Sequence, residues 1–337
     1  MKAIVWTAYG APDVLQMQEV ETPVPKENEV LVKILATTVE TGDCEMRRYH
    51  MHNRLLYIMR PLFGLFKPRI KILGQQLAGE VEAVGQKVTR FKPGDPVFGV
   101  PNFSFGTYAE YKCLKETAPL SIKPDNLSFE EACCVPVGGT NALHFLKIAN
   151  IQPGESVLIY GSTGTIGTYA VQLAKHFGAE VTAVCSSMKT DLVKSLGADH
   201  VIDYTKEDFT QVNRHYDVIF DTIGKSPFSW CLDSLKPHGR YLLANPTVSE
   251  LARGIWTNLI GNKRILTKLA KYTQDDLEYL KALMEDGKLR TVIDRVYPLE
   301  EIAEAHRYVE QRHKTGNVVI RIQANTHETI PTGPMQS

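Results

Sequence analysis

Three glycines separate a short apolar run from a helical pattern between residues 156 and 175. Gly161, Gly164 and Gly167 follow the apolar sequence VLIY at 157–160. After them, apolar side chains recur at the spacing of one helix face, at Ile166, Ala170, Leu173 and Phe177. A strand, a glycine turn and a helix in this order direct backbone N–H groups and a helix N-terminus at a phosphate. The stretch therefore predicts a dinucleotide site, in which Gly161 belongs to the turn and Gly164, Thr165 and Ile166 contact the pyrophosphate through their backbone.

The sequence after this turn indicates which dinucleotide is bound. A second strand, EVTAVCSS at 180–187, follows about one helix later, which favours a dinucleotide fold over an ordinary strand-to-helix loop. Sites that prefer NAD usually carry Asp or Glu near the end of that strand, where it binds the ribose 2′-hydroxyl. Here Ser186 and Lys189 stand instead, and a hydroxyl and a cation suit a 2′-phosphate. We expect NADP(H); in the alternative interpretation Lys189 is a solvated lysine that opens the next helix.

Length and composition exclude several classes of protein. A chain of 337 residues is longer than one typical core, so two domains are expected. The formal net charge is zero, which removes any global electrostatic argument for nucleic-acid binding. No apolar run is long enough to cross a bilayer, so we expect no stable membrane insertion. Six cysteines without a repeated CxxC, and an N-terminus unlike a signal peptide, favour a reducing cytoplasm.

The pattern of elements changes near residue 127. Before it, short β-rich segments such as KAIVW and EVLVKILAT are separated by Gly and Pro. From about 128 to 270 helical and strand patterns alternate, which indicates a parallel sheet covered on both faces. The remaining sequence predicts a helix, a strand, a second helix and a final strand. The expected fold class is α/β, with a β-rich module beside a doubly wound parallel sheet.

Several long phrases resemble the medium-chain dehydrogenase/reductase superfamily, and most closely its zinc-independent quinone oxidoreductase branch. The resemblance runs from residue 1 to about 322, and phrases such as LAGEVEAVGQKVTRFKPGDPVFG, VPVGGTNAL and VLIYGSTGTIGTYAVQLAK carry it. It implies a GroES-like catalytic domain at 1–127 and 271–337, wrapped around a Rossmann NADP-binding domain at 128–270. The active site is then expected in the cleft between the two domains. We also expect a homodimer.

The positions that hold catalytic zinc in related dehydrogenases do not suit a metal here. By resemblance, the three ligand positions correspond to Glu40, Gln75 and Pro136. Zinc needs three good N, S or O donors and an open position, and of these residues only Glu40 qualifies. The sequence also lacks the closely spaced cysteines of a structural zinc lobe. We therefore expect no metal site.

Without a Lewis acid, the substrate itself must accept a hydride readily. Quinones and α,β-unsaturated carbonyls do so, because the arriving charge spreads to an oxygen that hydrogen-bond donors or water stabilise. The expected reaction is NADPH-dependent reduction of such a small molecule, with the protein holding both reactants and excluding water. Tyr49 and Glu40 flank the expected pocket and are the candidate catalytic residues, although each is equally consistent with a structural role.

The resemblance also implies cofactor contacts outside the glycine turn. Tyr204 matches a position against the adenosine end of the cofactor, and Thr140 matches a position beside the nicotinamide ribose. Asp221 ends a strand that faces the cofactor, and Asn317 matches a residue that reaches the nicotinamide side. For Asp221, a carboxylate that caps N–H groups in its own loop is an equally good interpretation.

Residues 46–72 depart from the plainest members of the family. They carry seven Arg or Lys residues and no Asp or Glu, interleaved with Tyr49, Tyr57, Phe63 and Phe66. A partly packed lid whose cations reach solvent, a gate over the substrate cleft and a membrane-surface contact are three interpretations.

Two other functions remain open. One is a zinc-type alcohol dehydrogenase, which Gln75 disfavours and a metal assay would settle. The other is an NADPH-binding protein without turnover, used as a crystallin-like or RNA-binding module. The neutral net charge disfavours RNA binding, and NADPH oxidation in the presence of quinones tests for turnover.

Overall fold

The computed structural model describes residues 1–49, 63–101, 104–206 and 214–322. The chain begins with an antiparallel pair, β1 (Lys2–Trp6) and β2 (Leu15–Glu19). The strands that follow it are β3 (Glu29–Thr38), β4 (Leu77–Val84), β5 (Pro96–Gly99), β6 (Tyr111–Lys115) and β7 (Leu120–Ile122). They pair in antiparallel fashion, and helix α1 (Thr41–Arg48) follows β3 directly. This is the β-rich module that the first 127 residues predicted.

The middle of the chain forms a six-stranded parallel sheet. Its strands are β8 (Ser156–Tyr160), β9 (Glu180–Cys185), β10 (His200–Asp203), β11 (Tyr216–Asp221), β12 (Leu235–Leu243) and β13 (Arg264–Leu266). Across the sheet they lie in the order β10-β9-β8-β11-β12-β13. The first strand of the unit is therefore central, and the chain crosses over to one side and then to the other. This is the doubly wound arrangement that the alternating pattern predicted.

Helices pack on both faces of this sheet. Those described in the middle of the chain are α2 (Phe129–Ala132), α3 (Val135–Ala149), α4 (Thr165–His176), α5 (Thr190–Ser195), α6 (Phe228–Asp233) and α7 (Val248–Ile260). Val157, Leu158 and Ile159 are completely buried. Val157 and Ile159 belong to one core cluster and Leu158 to another, because successive side chains of a strand point to opposite faces. A strand covered on both faces reads as a continuous apolar run for this reason.

The end of the chain returns to the first sheet. After α8 (Gln274–Glu285), strand β14 (Ile293–Pro298), helix α9 (Ile302–Glu310) and strand β15 (Asn317–Arg321) follow. β15 pairs antiparallel with β3 and parallel with β14, so the sheet runs β14-β15-β3-β4-β5-β7, with β6 also pairing to β3. The chain's end thus joins the β-rich module, while the exact domain boundaries at residues 127 and 271 stay a prediction.

The two sheets share buried contacts. The largest core cluster contains Leu35 and Phe98 from the first sheet together with Val157 and Phe220 from the parallel sheet. A hydrogen bond from Ser121 Oγ to Glu278 also ties β7 to α8 at 2.7 Å. In the part of the chain that the structure describes, the helices are too short or too polar to span a bilayer.

Candidate active site

The glycine turn between β8 and α4 has one position, Gly164, at which a Cβ would make only an ordinary van der Waals contact. A Cβ on Gly167 would lie 2.1 Å from the Gly161 carbonyl oxygen, so this glycine is required for the helix to pack on the turn. Gly161 has φ +81°, a backbone conformation that favours glycine. Gly164 precedes α4, and a Cβ there would have the Gly161 oxygen as its nearest neighbour at 3.6 Å. The space over Gly164, at a helix N-terminus, is where a phosphate can approach the backbone of Thr165 and Ile166.

The ends of β9 and β10 bring three predicted cofactor residues together. Cys185 lies beside Asp203 in the parallel pair, and the Tyr204 N–H donates to the Cys185 carbonyl at 3.1 Å. Ser186 and Tyr204 are therefore the first residues beyond neighbouring strand ends. Lys189 lies one turn further, where its N–H donates to the Ser186 carbonyl at 3.0 Å. The Tyr204 side chain is 55% exposed, which leaves it open to a ligand.

Lys189 also contacts a segment from the far end of the chain. Its Nζ donates to the carbonyl oxygens of His313 at 2.8 Å and Lys314 at 3.2 Å. Partial burial lowers the pKa of this ammonium. In the same segment the Gly316 N–H donates to the Thr163 carbonyl at 2.8 Å. Residues 313–316 therefore bridge Lys189 and the glycine turn, a contact that local sequence patterns did not predict.

A carboxylate lies at the same edge of the sheet. Asp203 accepts hydrogen bonds from the hydroxyls of Ser187 and Thr205 and from the Thr205 N–H. These bonds, with that from Ser187 the strongest influence, lower the pKa of Asp203 to about 2, so it is ionised at neutral pH. Its negative charge opposes a 2′-phosphate near Ser186, whereas Lys189 attracts one. The assignment of Ser186 and Lys189 to a 2′-phosphate stays a prediction.

Glu40 lies where the first sheet meets the glycine turn. Its Oε1 accepts from Thr38 Oγ1 and Gln76 Nε2, each at 3.1 Å, and its Oε2 accepts from Thr165 Oγ1 at 3.3 Å. The Lys314 ammonium lies 3.7 Å from Oε2. Glu40 is 7% exposed, and these partners hold its carboxylate in one place. The structure thus brings this candidate catalytic residue to the predicted cofactor site.

Asp43 is a completely buried carboxyl in the first turn of α1. It accepts hydrogen bonds from the Glu40 N–H at 3.0 Å and from the Tyr108 hydroxyl and Gln75 Nε2 at 3.1 Å. Burial, reinforced by the nearby charge of Glu40, raises the pKa of Asp43 from its ordinary 3.8 to about 7. Near neutral pH this carboxyl is therefore protonated in some molecules and ionised in others.

Glu40 and Gln75, at two of the three expected zinc positions, make hydrogen bonds to other protein groups. Gln75 donates to Asp43, and the N–H of Val137, the residue after Pro136, donates to Gln76 Oε1 at 2.7 Å. Within the described ranges, no group of three or more His, Cys, Asp or Glu side chains is placed to hold a metal ion. The expected absence of zinc stays a prediction that metal analysis tests.

Tyr49 lies at the opposite end of α1 from Glu40. The helix between them has eight residues, about 12 Å at 1.5 Å per residue. Tyr49 is 6% exposed, and its ring meets that of Tyr9 edge-on at 5.1 Å. The two candidate catalytic residues therefore lie at opposite ends of one helix, with Glu40 near the glycine turn, and their catalytic roles stay predictions. Residues 50–62 of the basic segment 46–72 lie outside the described ranges, so the interpretations of that segment stay predictions.

Asp221 caps its own loop. It accepts hydrogen bonds from the backbone N–H groups of Ile223, Gly224, Lys225 and Ser226, and from the Ser226 hydroxyl, at 2.6–3.0 Å. This is the second of the two interpretations offered by the sequence. A contact between Asp221 and the cofactor stays a prediction.

Thr140 is buried in α3, on a helix that contacts the glycine turn. A Cβ on Gly138, two residues earlier, would lie 2.7 Å from Thr165 Cγ2, so the two helices touch at this point. Asn141, the next residue, donates from Nδ2 to the Tyr272 hydroxyl at 3.2 Å. The contact between α3 and the start of α4 is compatible with the predicted position of Thr140 beside a bound cofactor.

Asn317, at the start of β15, contains an acceptor without a partner. Its Nδ2 donates to the Val292 carbonyl at 3.0 Å, while its buried Oδ1 has no hydrogen-bond partner among the described residues. A buried polar atom left unpaired costs free energy unless a ligand satisfies it. The carboxamide of a nicotinamide offers N–H donors of the required kind. This orphan oxygen and the uncrowded backbone at Gly164 both fit a nicotinamide dinucleotide.

Two residues near the site were not predicted from the sequence. Lys314 has a side chain only 9% exposed, beside Glu40 and Thr165, and its Nζ donates to the Gly316 carbonyl at 3.0 Å. Tyr272 contacts α3 through Asn141, and burial raises the pKa of its hydroxyl. Neither belongs to a local motif, although Lys314 directly precedes the phrase TGNVVI that marks Asn317.

Comparison with known protein families accounts for most of the chain. Residues 26–125 match the alcohol dehydrogenase GroES-like domain, and residues 196–320 match the zinc-binding dehydrogenase family. The first match confirms that the β-rich module is GroES-like. The second spans the later part of the parallel sheet and the return to the first sheet.

Relatives and a solved structure extend over nearly the whole chain. It is 34% identical to 2-methylene-furan-3-one reductase of Solanum lycopersicum, over 95% of this chain and 79% of that protein. It is 32% identical to the chloroplastic NADPH-dependent alkenal/one oxidoreductase of Arabidopsis thaliana, with the same two coverages. The structure of the quinone oxidoreductase from Coxiella burnetii aligns with a TM-score of 0.86 at 30% identity, over 96% of this chain and 99% of that one. The chain therefore belongs to the medium-chain dehydrogenase/reductase superfamily, in its zinc-independent quinone oxidoreductase-like branch.

Proposed function

We propose that this protein oxidises NADPH and transfers the hydride to a quinone or an α,β-unsaturated carbonyl without a metal ion. The observation that carries the proposal is the Glu40 network. At the position where metal-dependent relatives would hold zinc, a carboxylate accepts from Thr38, Gln76 and Thr165 and faces Lys314. A site occupied in this way by mutually bonded side chains offers no set of free ligands for zinc.

The cofactor roles follow from the fit of the site. The backbone of Gly164, Thr165 and Ile166 would hold the pyrophosphate, since Gly164 has no Cβ in the way of its approach. Ser186 and Lys189 would bind the 2′-phosphate and Tyr204 would cover the adenosine. At the other end, Thr140 and Asn317 would contact the nicotinamide riboside, and the unpaired Asn317 Oδ1 would gain a donor. The proposed cofactor contacts are therefore Gly164, Thr165, Ile166, Ser186, Lys189, Tyr204, Thr140 and Asn317.

The substrate class follows from the chemistry that remains. NADPH, when bound, supplies a hydride, which is two electrons and one proton equivalent. In an enone the hydride adds to the β-carbon, the electron pair moves through the double bond to oxygen, and a proton then completes the saturated ketone. In a quinone the same transfer and one proton give the hydroquinone. The protein's part is to hold both reactants together and to keep bulk water away.

An acceptor panel tests the proposal. Protein dialysed against a chelator is supplied with NADPH and a quinone, an enone, or a simple saturated aldehyde, and absorbance loss and products are measured together. We expect stoichiometric NADPH oxidation with the quinone or the enone and none with the saturated aldehyde. NADPH binding without oxidation by any acceptor would favour the non-catalytic alternative, and activity with the aldehyde after added zinc would favour the alcohol dehydrogenase.

Location and assembly are proposed from the sequence. We retain the cytoplasm and a homodimer as expectations, from the free cysteines and from the general habit of oligomerisation among soluble enzymes. Fluorescent tagging at each terminus in turn tests the first. Sedimentation velocity at several protein concentrations tests the second, with a single monomeric species as the contrary result.

A further inference from the structure

Tyr272 lies where the chain leaves the parallel sheet and returns to the first sheet. It belongs to the segment between β13 and α8, and Thr273 caps α8 by accepting the Asp276 N–H at 3.2 Å. Gln274 accepts the Leu120 N–H at 3.0 Å, which ties the start of α8 to β7. The Tyr272 side chain itself is partly buried. Tyr272 is therefore held at the junction of the two sheets, where the active-site cleft is expected.

The hydrogen bond between Asn141 and Tyr272 has a direction that its neighbour fixes. Asn141 Nδ2 donates to the Val137 carbonyl at 2.8 Å, and a carbonyl oxygen can only accept. The same nitrogen lies 3.2 Å from the Tyr272 hydroxyl, so this contact is also a donation from the amide. The Tyr272 oxygen accepts, and its own proton is left for another acceptor. Among the described residues no group accepts that proton.

Two other hydroxyls of the site already have acceptors for their protons. Thr38 donates to Glu40 Oε1, and Tyr108 donates to Asp43 Oδ2, each at 3.1 Å. Hydrogen bonds to carboxylates are strong, so neither proton is free for a substrate. Tyr272 differs from both, because it keeps a proton to donate.

Contacts through α3 connect Tyr272 with Glu40. Val137, which accepts from Asn141, donates its own N–H to Gln76 Oε1 at 2.7 Å. Gln76 Nε2 in turn donates to Glu40 Oε1 at 3.1 Å. The Tyr272 hydroxyl thus belongs to the same polar network that occupies the place of zinc in metal-dependent relatives.

The charges of the site also reach the Tyr272 hydroxyl. Burial is the largest effect that raises the pKa of Tyr272, and the charges of Glu40 and Asp43 raise it further. The hydroxyl is therefore protonated at neutral pH and acts as a hydrogen-bond donor. Thr140, the residue before Asn141, is predicted beside the nicotinamide ribose, which places this donor near the reacting end of the cofactor.

We propose that the Tyr272 hydroxyl donates a hydrogen bond to the carbonyl or quinone oxygen of the acceptor, and that Asn141 positions it. This inference rests on the proposed hydride transfer. When a hydride adds to the β-carbon of an enone, the electron pair of the double bond moves to the oxygen, and a donor at that oxygen stabilises the charge that develops. A proton from solvent then adds to the α-carbon, while Tyr272 keeps its own proton.

Enone kinetics test the role of the hydroxyl. Tyr272→Phe keeps the ring and should lower kcat for an enone by about tenfold to a hundredfold, because one oxyanion donor is lost. The dissociation constant of NADPH should stay the same. The control is Tyr279→Phe in α8, a partly buried tyrosine whose ring meets that of His176, and it should leave kcat unchanged. An unchanged kcat in Tyr272→Phe would overturn the proposal.

A double-mutant cycle tests the positioning role of Asn141. Asn141→Ala should lower kcat by less than Tyr272→Phe does, and the double variant should be no slower than Tyr272→Phe alone, because both residues act through one hydroxyl. Thermal unfolding confirms that each variant is folded. Losses that multiply in the double variant would show that Asn141 does not act through Tyr272.

A binding measurement separates this inference from the proposed function. Cyclohexane-1,3-dione is an enolate at neutral pH, and NADP⁺ has no hydride to transfer to it. Calorimetry of the dione with the NADP⁺-bound protein therefore reports the contact with the oxygen without turnover. We expect Tyr272→Phe to weaken the dissociation constant of the enolate by about tenfold or more, as for a hydrogen bond to a charged group.

The outcomes of the kinetic and binding measurements are distinct. Equal affinity of parent and Tyr272→Phe for the enolate, or no binding by the parent, would overturn the contact between Tyr272 and the oxygen, even in a protein that reduces enones. Enolate binding that depends on Tyr272, in a protein that reduces neither enones nor quinones, would support this contact and refute the proposed function.

Discussion

Lys189 carries the expected difference between NADPH and NADH. Replacing it with Ala should weaken NADPH binding by about 1–3 kcal/mol, the range of a charge-assisted hydrogen bond, and NADH binding much less. The bonds from Lys189 to His313 and Lys314 are lost for both cofactors alike, so the difference between them isolates the phosphate contact. Fluorescence titration with each cofactor measures this difference in binding free energy. Lys194→Ala, an exposed lysine in α5, is the matched control; equal losses for both cofactors at position 189 would assign Lys189 a structural role.

Asp43 should give the folded protein a stability that changes with pH. Its pKa is about 7 in the folded protein against an ordinary 3.8, so the folded state holds the proton more tightly. This contribution is full below about pH 4, falls as the pH rises to about 7, and is lost above that. The free energy of unfolding of the parent relative to Asp43→Asn should therefore decline across this window. Urea titrations at several pH values measure it, with Asp191→Asn as an exposed control; parallel curves for parent and Asp43→Asn would refute the raised pKa.

The predictability of each site residue depended on how far its partners lie along the chain. Gly161, Gly164 and Lys189 belong to one strand–turn–helix–strand unit, so local spacing was enough to find them. The partners of Glu40 come from β3, the loop before β4, α4 and the segment before β15, and no local pattern joins these. Asp221 shows another limit, because a carboxylate at a strand end looks the same in the sequence whether it caps a loop or contacts a cofactor.

At the scale of elements, substitutions at Gly164 and Gly167 should affect different properties: the first should weaken cofactor binding, and the second should destabilise the fold. Gly164→Ala places a Cβ 3.6 Å from its nearest neighbour, at φ −80°, so stability should change little. The same methyl group would occupy the approach of the pyrophosphate, and NADPH affinity should fall about tenfold or more. Calorimetric unfolding and NADPH titration on the same sample give both results. Unchanged NADPH affinity would show that the pyrophosphate does not bind at this turn.

Gly167→Ala is the complementary change in the same turn. Its Cβ would lie 2.1 Å from the Gly161 carbonyl oxygen and 2.7 Å from the Ser162 carbonyl carbon, so the backbone must move. We expect a loss of about 1–3 kcal/mol in the free energy of unfolding, as for other overpacked sites. This exceeds the gain of up to about 1 kcal/mol from the better helix propensity of Ala. A free energy of unfolding equal to that of the parent would show that the backbone of the turn accommodates the added methyl group without cost.

The elements themselves were largely predictable because their periodicities differ. Buried parallel strands such as β8 read as continuous apolar runs, and α4 shows the spacing of a helix face. The outward orientation of α7 could not be predicted in this way. Its apolar stripe has the same spacing as a core-facing one, and the contacts of Gly254 and Asn258 with β13 decide which side faces the protein.

At the scale of the whole molecule, the β-rich module and the doubly wound parallel sheet followed from alternation and resemblance, while the contact between the sheets did not. The joining of β15 to β3 and the hydrogen bond from Val137 to Gln76 connect residues far apart in the chain. Such contacts depend on how the two units pack after each has formed. They also place Glu40 and the glycine turn side by side, on which the account of the active site depends.

Metal analysis tests this account of the site. The purified protein should contain well under one zinc ion per chain, and exhaustive chelation should leave NADPH-dependent activity unchanged, because the matching positions hold Glu40, Gln75 and Pro136. Mass spectrometry of metals, with activity measured before and after chelation, provides the comparison. Stoichiometric zinc whose removal abolishes turnover and whose return restores it would show that Glu40 belongs to a metal site.

The central claim is hydride transfer from NADPH to an activated carbon–carbon double bond or quinone, and isotope transfer tests it most directly. NADPH carrying deuterium at the transferred position of its nicotinamide is incubated with the protein and an enone, and the saturated ketone is examined by NMR. The account predicts one deuterium per product molecule at the β-carbon, with the proton at the α-carbon coming from solvent. NADPH oxidation that leaves the β-carbon unlabelled, or the absence of any saturated ketone across enones while quinones are reduced in one-electron steps, would contradict it.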